Sequence, residues 1–312
     1  MRKLLPHPLF PLALAFLALC LIVTQDGGQN ARSRLLAMRS FGETGAFTLD
    51  DHLKATDDWA KAPDGHYYPN KAPGPMILGM PVFFLADKAH QLAESGYRDD
   101  RGLRTDPGYF QSTVTSFFMQ ALPFAILVLA IGTWLGQAGA SPGAVVFFGV
   151  AALFANTAAL FMNSYFGHGF SALVQLAGLF FLLHVRLGWS GLLFSFSLLS
   201  DYGFAAQIPA LLLALALSRP GWRSIGGFAA GSLPGAALWL AYHGAIFGSP
   251  FAIASRFQNP TFLEGEGGSR LWGMISLPEP LFLWELVFGW SRGLWLSQPW
   301  VLWLLPVAAW VL

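Results

Sequence analysis

The chain has 312 residues, 54% hydrophobic and 11% charged, with a mean hydropathy of +0.51, which excludes an ordinary soluble domain. A net charge of +1 gives no overall field for nucleic acid or an acidic partner, and the single cysteine, Cys20, excludes disulfide stapling and cysteine-based metal sites. The charge is unevenly placed: 12 of the 17 acids and 12 of the 18 Lys and Arg precede residue 110, and none falls between Pro107 and Val185. Such a chain is a polar segment near the N-terminus followed by a bundle in a bilayer.

In chain order, the basic start MRK and the apolar run 8–23 read as an uncleaved first span, because TQDGGQN follows where a small-x-small cleavage pattern would stand. Leu19 before Cys20 is not the small residue a lipid anchor requires. Further apolar runs at 113–135, 143–162, 169–185, 188–200, 203–218, 225–246 and 295–312 approach the about 20 residues that cross a bilayer. Arg2 and Lys3 place the N-terminus in the cytoplasm, and Arg219 and Arg223 mark a short cytoplasmic loop. Both hold only if the run 76–92, which carries Asp87 and Lys88, does not span, so it is expected as an interfacial or re-entrant helix.

The predicted architecture is therefore an all-α polytopic membrane protein of about eight transmembrane helices with a large first external loop carrying interfacial helices. Its parts are the first span 8–23, the external loop 24–112, a six-span bundle 113–246, a second external segment 247–294 and a last span 295–312. The last run stops inside its apolar stretch, so a longer parent chain is expected.

The polar segments hold the residues with chemistry. NARSRLLAMRSFG sets Ala31, Leu35, Leu36 and Met38 on one helical side and Arg32, Arg34 and Arg39 elsewhere, as in a helix lying on a membrane surface or one packed on the loop. Asp26 follows the first span by three residues; partial desolvation there makes a carboxylate a better base, while an N-cap for the next helix would use the same residue. The stretch DGHYYPNKAPGP, Asp64 to Pro75, fixes its backbone with proline and glycine around Lys71. His168 in NSYFGHGF and Asp201 emerge at external span ends, and Arg256 and Arg292 flank the second external segment. No His or Cys cluster suggests zinc and no glycine-rich phosphate loop suggests a nucleotide, so no cofactor is expected and metal dependence stays open.

The ordered set QDGGQNAR, DGHYYPNKAPGP, NSYFGHGF, FGSPF and RGLWLSQPW resembles the GT-C superfamily of membrane glycosyltransferases. Within it the set is similar to the bacterial branch related to protein O-mannosyltransferases and lipid A aminoarabinose transferases. The resemblance covers nearly the whole chain. It implies an inverting glycosyltransferase on the external face of the bacterial inner membrane, moving a sugar from a polyprenyl-phosphate donor to a hydroxyl of a glycan, lipid or protein acceptor, with membrane lipid around it and no nucleic acid.

By position Asp26 matches the family's general base, although Gly27 stands where relatives often carry a second acid; Asp50, Asp51 or Asp201 could supply another carboxylate. Lys71 matches the lysine of a Lys-Pro-Pro element that meets the carrier phosphate, with Ala72 in place of the first proline. Arg256 and Arg292 are further candidates for that phosphate, while His66, Tyr67, Tyr68, His168 and Asp201 are candidates for lining the substrate. The competing class is a transporter or flippase of lipid-linked sugars, against which the uncharged stretch through the middle spans argues.

Overall fold

A computed structural model describes residues 7–23, 28–96, 107–217, 221–262 and 280–289. The described chain is predominantly helical, as the apolar runs require, since a helix satisfies every backbone polar group within itself. Two helices are long and apolar enough to cross a membrane, Phe110–Gln137 and Trp222–Phe247.

Helix α1 (Phe10–Ile22) buries Ala13, Phe16 and Cys20 in a core shared with Ala121, Phe124, Val128, Val145 and Leu173. Helix α2 (Gly28–Thr44) leads to a hairpin of β1 (Trp59–Lys61) and β2 (Tyr67–Pro69), paired antiparallel with Ala60 opposite Tyr68. Gly65 turns the hairpin at φ 92°, a conformation that glycine adopts without a Cβ penalty. Helix α3 (Gly74–Gly96) covers the expected interfacial run and extends it at both ends. It runs antiparallel to α4 (Pro107–Ser116), because Gly79 lies against Thr115 while the Asp87 carboxylate accepts from Gln111 and His90 stacks on Phe110.

From α4 the chain continues through a π-helical turn, 117–121, into α5 (Leu122–Gln137). The wide turn has a local cause: Pro123 has no N–H and its ring would press on the carbonyl four residues back, so Leu122 N–H bonds Phe117 O five residues back instead.

The expected single span 143–162 is two helices, α6 (Pro142–Phe154) and α7 (Thr157–Phe161). Asn156 divides them. Its side-chain amide donates to Ala151 O at 2.8 Å and to Ala152 O, closing α6, while its carbonyl accepts from Ala159 N at 2.9 Å and opens α7.

Helices α8 (Gly167–Leu183) and α9 (Leu187–Ser200) follow, and the expected span 203–218 resolves into a 3₁₀ turn, Tyr202–Gln207, and a 10-residue α10 (Ile208–Leu217). Ten residues rise about 15 Å, half a hydrocarbon core. Asp201 initiates the tighter turn by accepting from Gly203 N at 2.9 Å. Helix α11 (Trp222–Phe247) packs along α9 through small residues: Gly231 meets the Gly188 backbone, Phe228 O lies against Gly191, and Gly235 lies on Ser195. Glycines on both helices let the two backbones approach this closely.

After α11 the chain returns to the hairpin. Gln258 bridges Ala60, Asn259 N donates to Trp59 O at 2.9 Å, and Asn259 Nδ2 donates to Asp57 O at 3.3 Å. Gln258 and Asn259 are thus folded onto the hairpin and the residues just before it. Helix α12 (Pro280–Phe288) is described beyond them, and the last expected span, 295–312, lies outside the described residues.

Candidate functional site

Helix α2 is not a helix lying on a surface. Ala31, Ala37 and Met38 enter a core with Leu49, Tyr68, Met76, Tyr165, Tyr202 and Tyr242, and Arg34 is itself buried, 2% exposed. A buried guanidinium needs its donors satisfied. Its Nη1 bonds the Asn30 carbonyl at 3.2 Å and the Asn30 side chain, and its Nη2 reaches Ala72 O at 3.4 Å.

Arg34 is where four elements meet. A Cβ at Gly167, the first residue of α8, would come within 2.7 Å of Arg34 Nη2 and 3.0 Å of Ser200 O, so the first position of α8 needs glycine for contact. Gly74, the first residue of α3, lies against Ser200 Oγ and the Leu199 carbonyl at the end of α9. The helix starts of α3 and α8, the end of α9 and the middle of α2 thus share one spot, which brings two helix N-termini beside a buried cation.

Two charge pairs flank it. Lys71 Nζ is 3.3 Å from Asp58 Oδ1, with the Asp58 side chain 6% exposed and that of Lys71 38%. Lys71 also lies 5.9 Å from the Phe262 ring centre. Beside them Asn70 is buried, and among the described residues its side-chain amide, Asp58 Oδ2 and Arg34 Nε have no hydrogen-bond partner. On the other flank His168 Nδ1 and Asp201 Oδ2 are 2.6 Å apart, and the His168 ring packs on Phe166 and Phe161. Burial pushes the Asp201 carboxyl up, but the hydrogen bond and charge of His168, the Gly203 amide and Arg34 together hold it below the usual range. Burial pulls the Arg34 pKa down, and the carboxylates of Asp58 and Asp201 are among the groups that oppose it.

The remaining expected residues are elsewhere. His66 Nδ1 pairs with Asp50 Oδ2 at 2.6 Å while Tyr67 N donates to Asp50 Oδ1 at 2.8 Å, so Asp50 clasps the hairpin from outside. Tyr68 is buried with its hydroxyl on Asp64 Oδ2 at 2.9 Å; burial and that carboxylate push its pKa up to about 12. His66, Tyr67 and Tyr68 are thus engaged by Asp50 and Asp64 within the hairpin. Arg256 is exposed on a 3₁₀ turn, Ala254–Phe257. Asp26 and Arg292 lie outside the described residues. Among the described residues no group of three or more His, Cys, Asp or Glu could hold a metal ion.

The Asp50 hydrogen bond and charge raise the His66 pKa above its ordinary value. The charge of His66 therefore contributes to this pairing fully below the ordinary histidine pKa, and that contribution is lost as pH rises through the raised value. Asp50→Asn is expected to return the His66 titration, followed by NMR, to the ordinary histidine range; an unchanged midpoint would show that Asp50 is not its partner in solution.

Sequence reasoning placed Lys71, His168 and Asp201 on one membrane side, and the structure places each pair beside Arg34. It missed Arg34, Asp58 and Asn70. The hairpin register carries a signal for two of them: Trp59 pairs with Pro69, which sets Asp58 next to Asn70 and so beside Lys71. Against family models, curated proteins and solved structures alike, the chain has no match.

Proposed function

We propose that the protein is an inverting glycosyltransferase that takes a sugar from a polyprenyl-phosphate carrier at the external face of a membrane, in an eight-span GT-C-like architecture. The observation that carries this reading is the convergence of Lys71, Arg34 and His168 at the starts of α3 and α8, with carboxylates interleaved among them. A phosphate leaving group needs fixed cations and amide dipoles where its charge develops. Lys71, partly exposed, is the cation that meets it, and buried Arg34 sets the field behind. Asp26, directly after the first span, is the proposed base that takes the acceptor proton.

The test is sugar transfer in proteoliposomes from a synthetic polyprenyl-phosphate sugar to added acceptor hydroxyls. Release of lipid phosphate with formation of a glycosylated acceptor supports the reading. Movement of intact carrier between leaflets without transfer would replace it with a flippase.

The topology has its own test. Lys61 on β1 and Gln137 at the end of α5 are both exposed and, in the proposed topology, lie on opposite membrane sides. With Cys20 replaced by serine, an impermeant thiol reagent outside is expected to label Lys61→Cys and spare Gln137→Cys. Labelling of both or of neither would refute the topology.

A further inference from the structure

The His168–Asp201 pair was expected to line the substrate, with Asp201 a further candidate carboxylate, and its surroundings assign it more. His168 is the second residue of α8, whose N-cap, Phe166, offers no side-chain acceptor; its carbonyl takes the amides of Gly169 and Phe170, which leaves those of Gly167 and His168 uncapped among the described residues. The adjacent Arg34 is buried with its Nε unpartnered among the described residues, and its Nη2 lies against Gly167. Uncapped amides at a helix start beside a cation favour an anion. The imidazole therefore stands where an anion is best held, with Nδ1 fixed by Asp201 and more than half of its side chain exposed, which leaves Nε2 for a ligand.

Asp201 is anchored in turn. One carboxylate oxygen meets His168 and the other accepts from Gly203 N. Among the described residues the charged group acting on Asp201 besides His168 is Arg34 on α2, which itself faces Asp58, Tyr165 and Tyr202; Phe161 and Phe166 form the apolar side of the His168 ring.

We propose that the imidazolium of His168, oriented by Asp201, contacts the carrier phosphate and protonates it as the sugar departs. The inference rests on the glycosyl-transfer reading. In the step, the bond from the acceptor oxygen to the anomeric carbon forms while the bond from that carbon to the phosphate oxygen breaks. The acceptor proton passes to Asp26, and the His168 proton passes to the departing phosphate oxygen. The phosphodiester becomes a singly protonated phosphate monoester, and solvent then carries the proton from Asp26 back to His168. His168 is in this scheme the catalytic acid, and Asp201 is a positioning residue.

The experiment compares wild type, His168→Gln and Asp201→Asn in nanodiscs at matched thermal stability, with transfer rates followed across the range in which histidine changes charge. Binding of a polyprenyl monophosphate is measured beside that of the corresponding polyprenol. His168→Gln is expected to lower kcat by about 10²-fold and to abolish the fall in rate on the alkaline side. Asp201→Asn releases the ring from its anchor and is expected to lower kcat while leaving KM near the wild-type value. His168→Gln is also expected to weaken monophosphate binding by roughly tenfold without affecting the polyprenol, one charge-assisted contact being lost.

Transfer by the wild type together with a normal rate and pH profile in His168→Gln would overturn the inference and leave glycosyl transfer standing. Absence of transfer in the wild type, with His168-dependent monophosphate binding, would overturn glycosyl transfer while the phosphate contact stands. Equal binding of monophosphate and polyprenol would overturn the contact itself.

Discussion

Lys71→Ala is expected to lower the kcat of sugar transfer by about 10³-fold, the loss found when a fixed donor to a developing oxyanion is removed. The ion pair with Asp58 makes the single variant ambiguous, since it also strands a carboxylate whose side chain is 6% exposed. A buried charge left without its partner destabilises the fold by itself. The double variant Asp58→Asn/Lys71→Ala separates the two effects. If Lys71 only neutralises Asp58, removing both charges restores transfer. If Lys71 serves the phosphate, the double variant regains thermal stability and stays as inactive as Lys71→Ala. Lys71→Arg keeps the charge but replaces a compact point charge by a planar fork, so it is expected to fold normally and to transfer poorly. Steady-state rates on protein of matched stability read this out, and an active double variant would remove Lys71 from the mechanism.

The second large effect is on folding. Arg34→Met keeps much of the side-chain volume and removes a buried cation that holds the Asn30 and Ala72 carbonyls and faces Asp58 and Asp201. Breaking a buried charge network from one side costs about 3–5 kcal/mol, which corresponds to a fall in melting temperature on the order of 10 °C for a domain of this class. Arg34→Lys keeps the charge but cannot reach both Asn30 and Ala72 with a planar fork, so an intermediate loss is expected. Melting in detergent, followed by tryptophan fluorescence, measures both. A melting temperature for Arg34→Met within a degree or so of wild type would mean that α2 and the start of α8 do not depend on this contact.

The apolar helices were legible in the sequence because lipid imposes a composition that a simple count detects. Their interruptions were not. Asn156 breaks an apolar run by taking carbonyls that the helix would otherwise use, and hydropathy is blind to one side chain bonding backbone. The 3₁₀ turn ahead of α10 was obscured likewise, since it is opened by Asp201 accepting from Gly203 N.

Arg34 was misread for a different reason. A helical projection places it away from the apolar side, and on an isolated helix it would be solvated. It is buried because Ala72, Gly167 and Ser200 come to it from segments up to 166 positions away, and no local pattern announces them. The His168–Asp201 pair was more accessible, because span parity puts both residues at the same end of adjacent helices. The α9–α11 contact shows the same contrast: Gly227, Gly231 and Gly235 recur every four residues, a readable stripe, but only the structure names Gly188, Gly191 and Ser195 as its partners.

The strand bridge between Ala60 and Gln258 joins positions 198 residues apart in a chain that is made from one end. At about 5–20 residues per second, the second partner is synthesised roughly 10–40 s after the first. During that interval β1 has only β2 beside it, and its other edge stays open until α11 has been made and the chain has come back. That edge of the hairpin is closed by residues that arrive after all the helices surrounding Arg34. An early stop in synthesis would therefore leave the charged cluster in place with its cover missing.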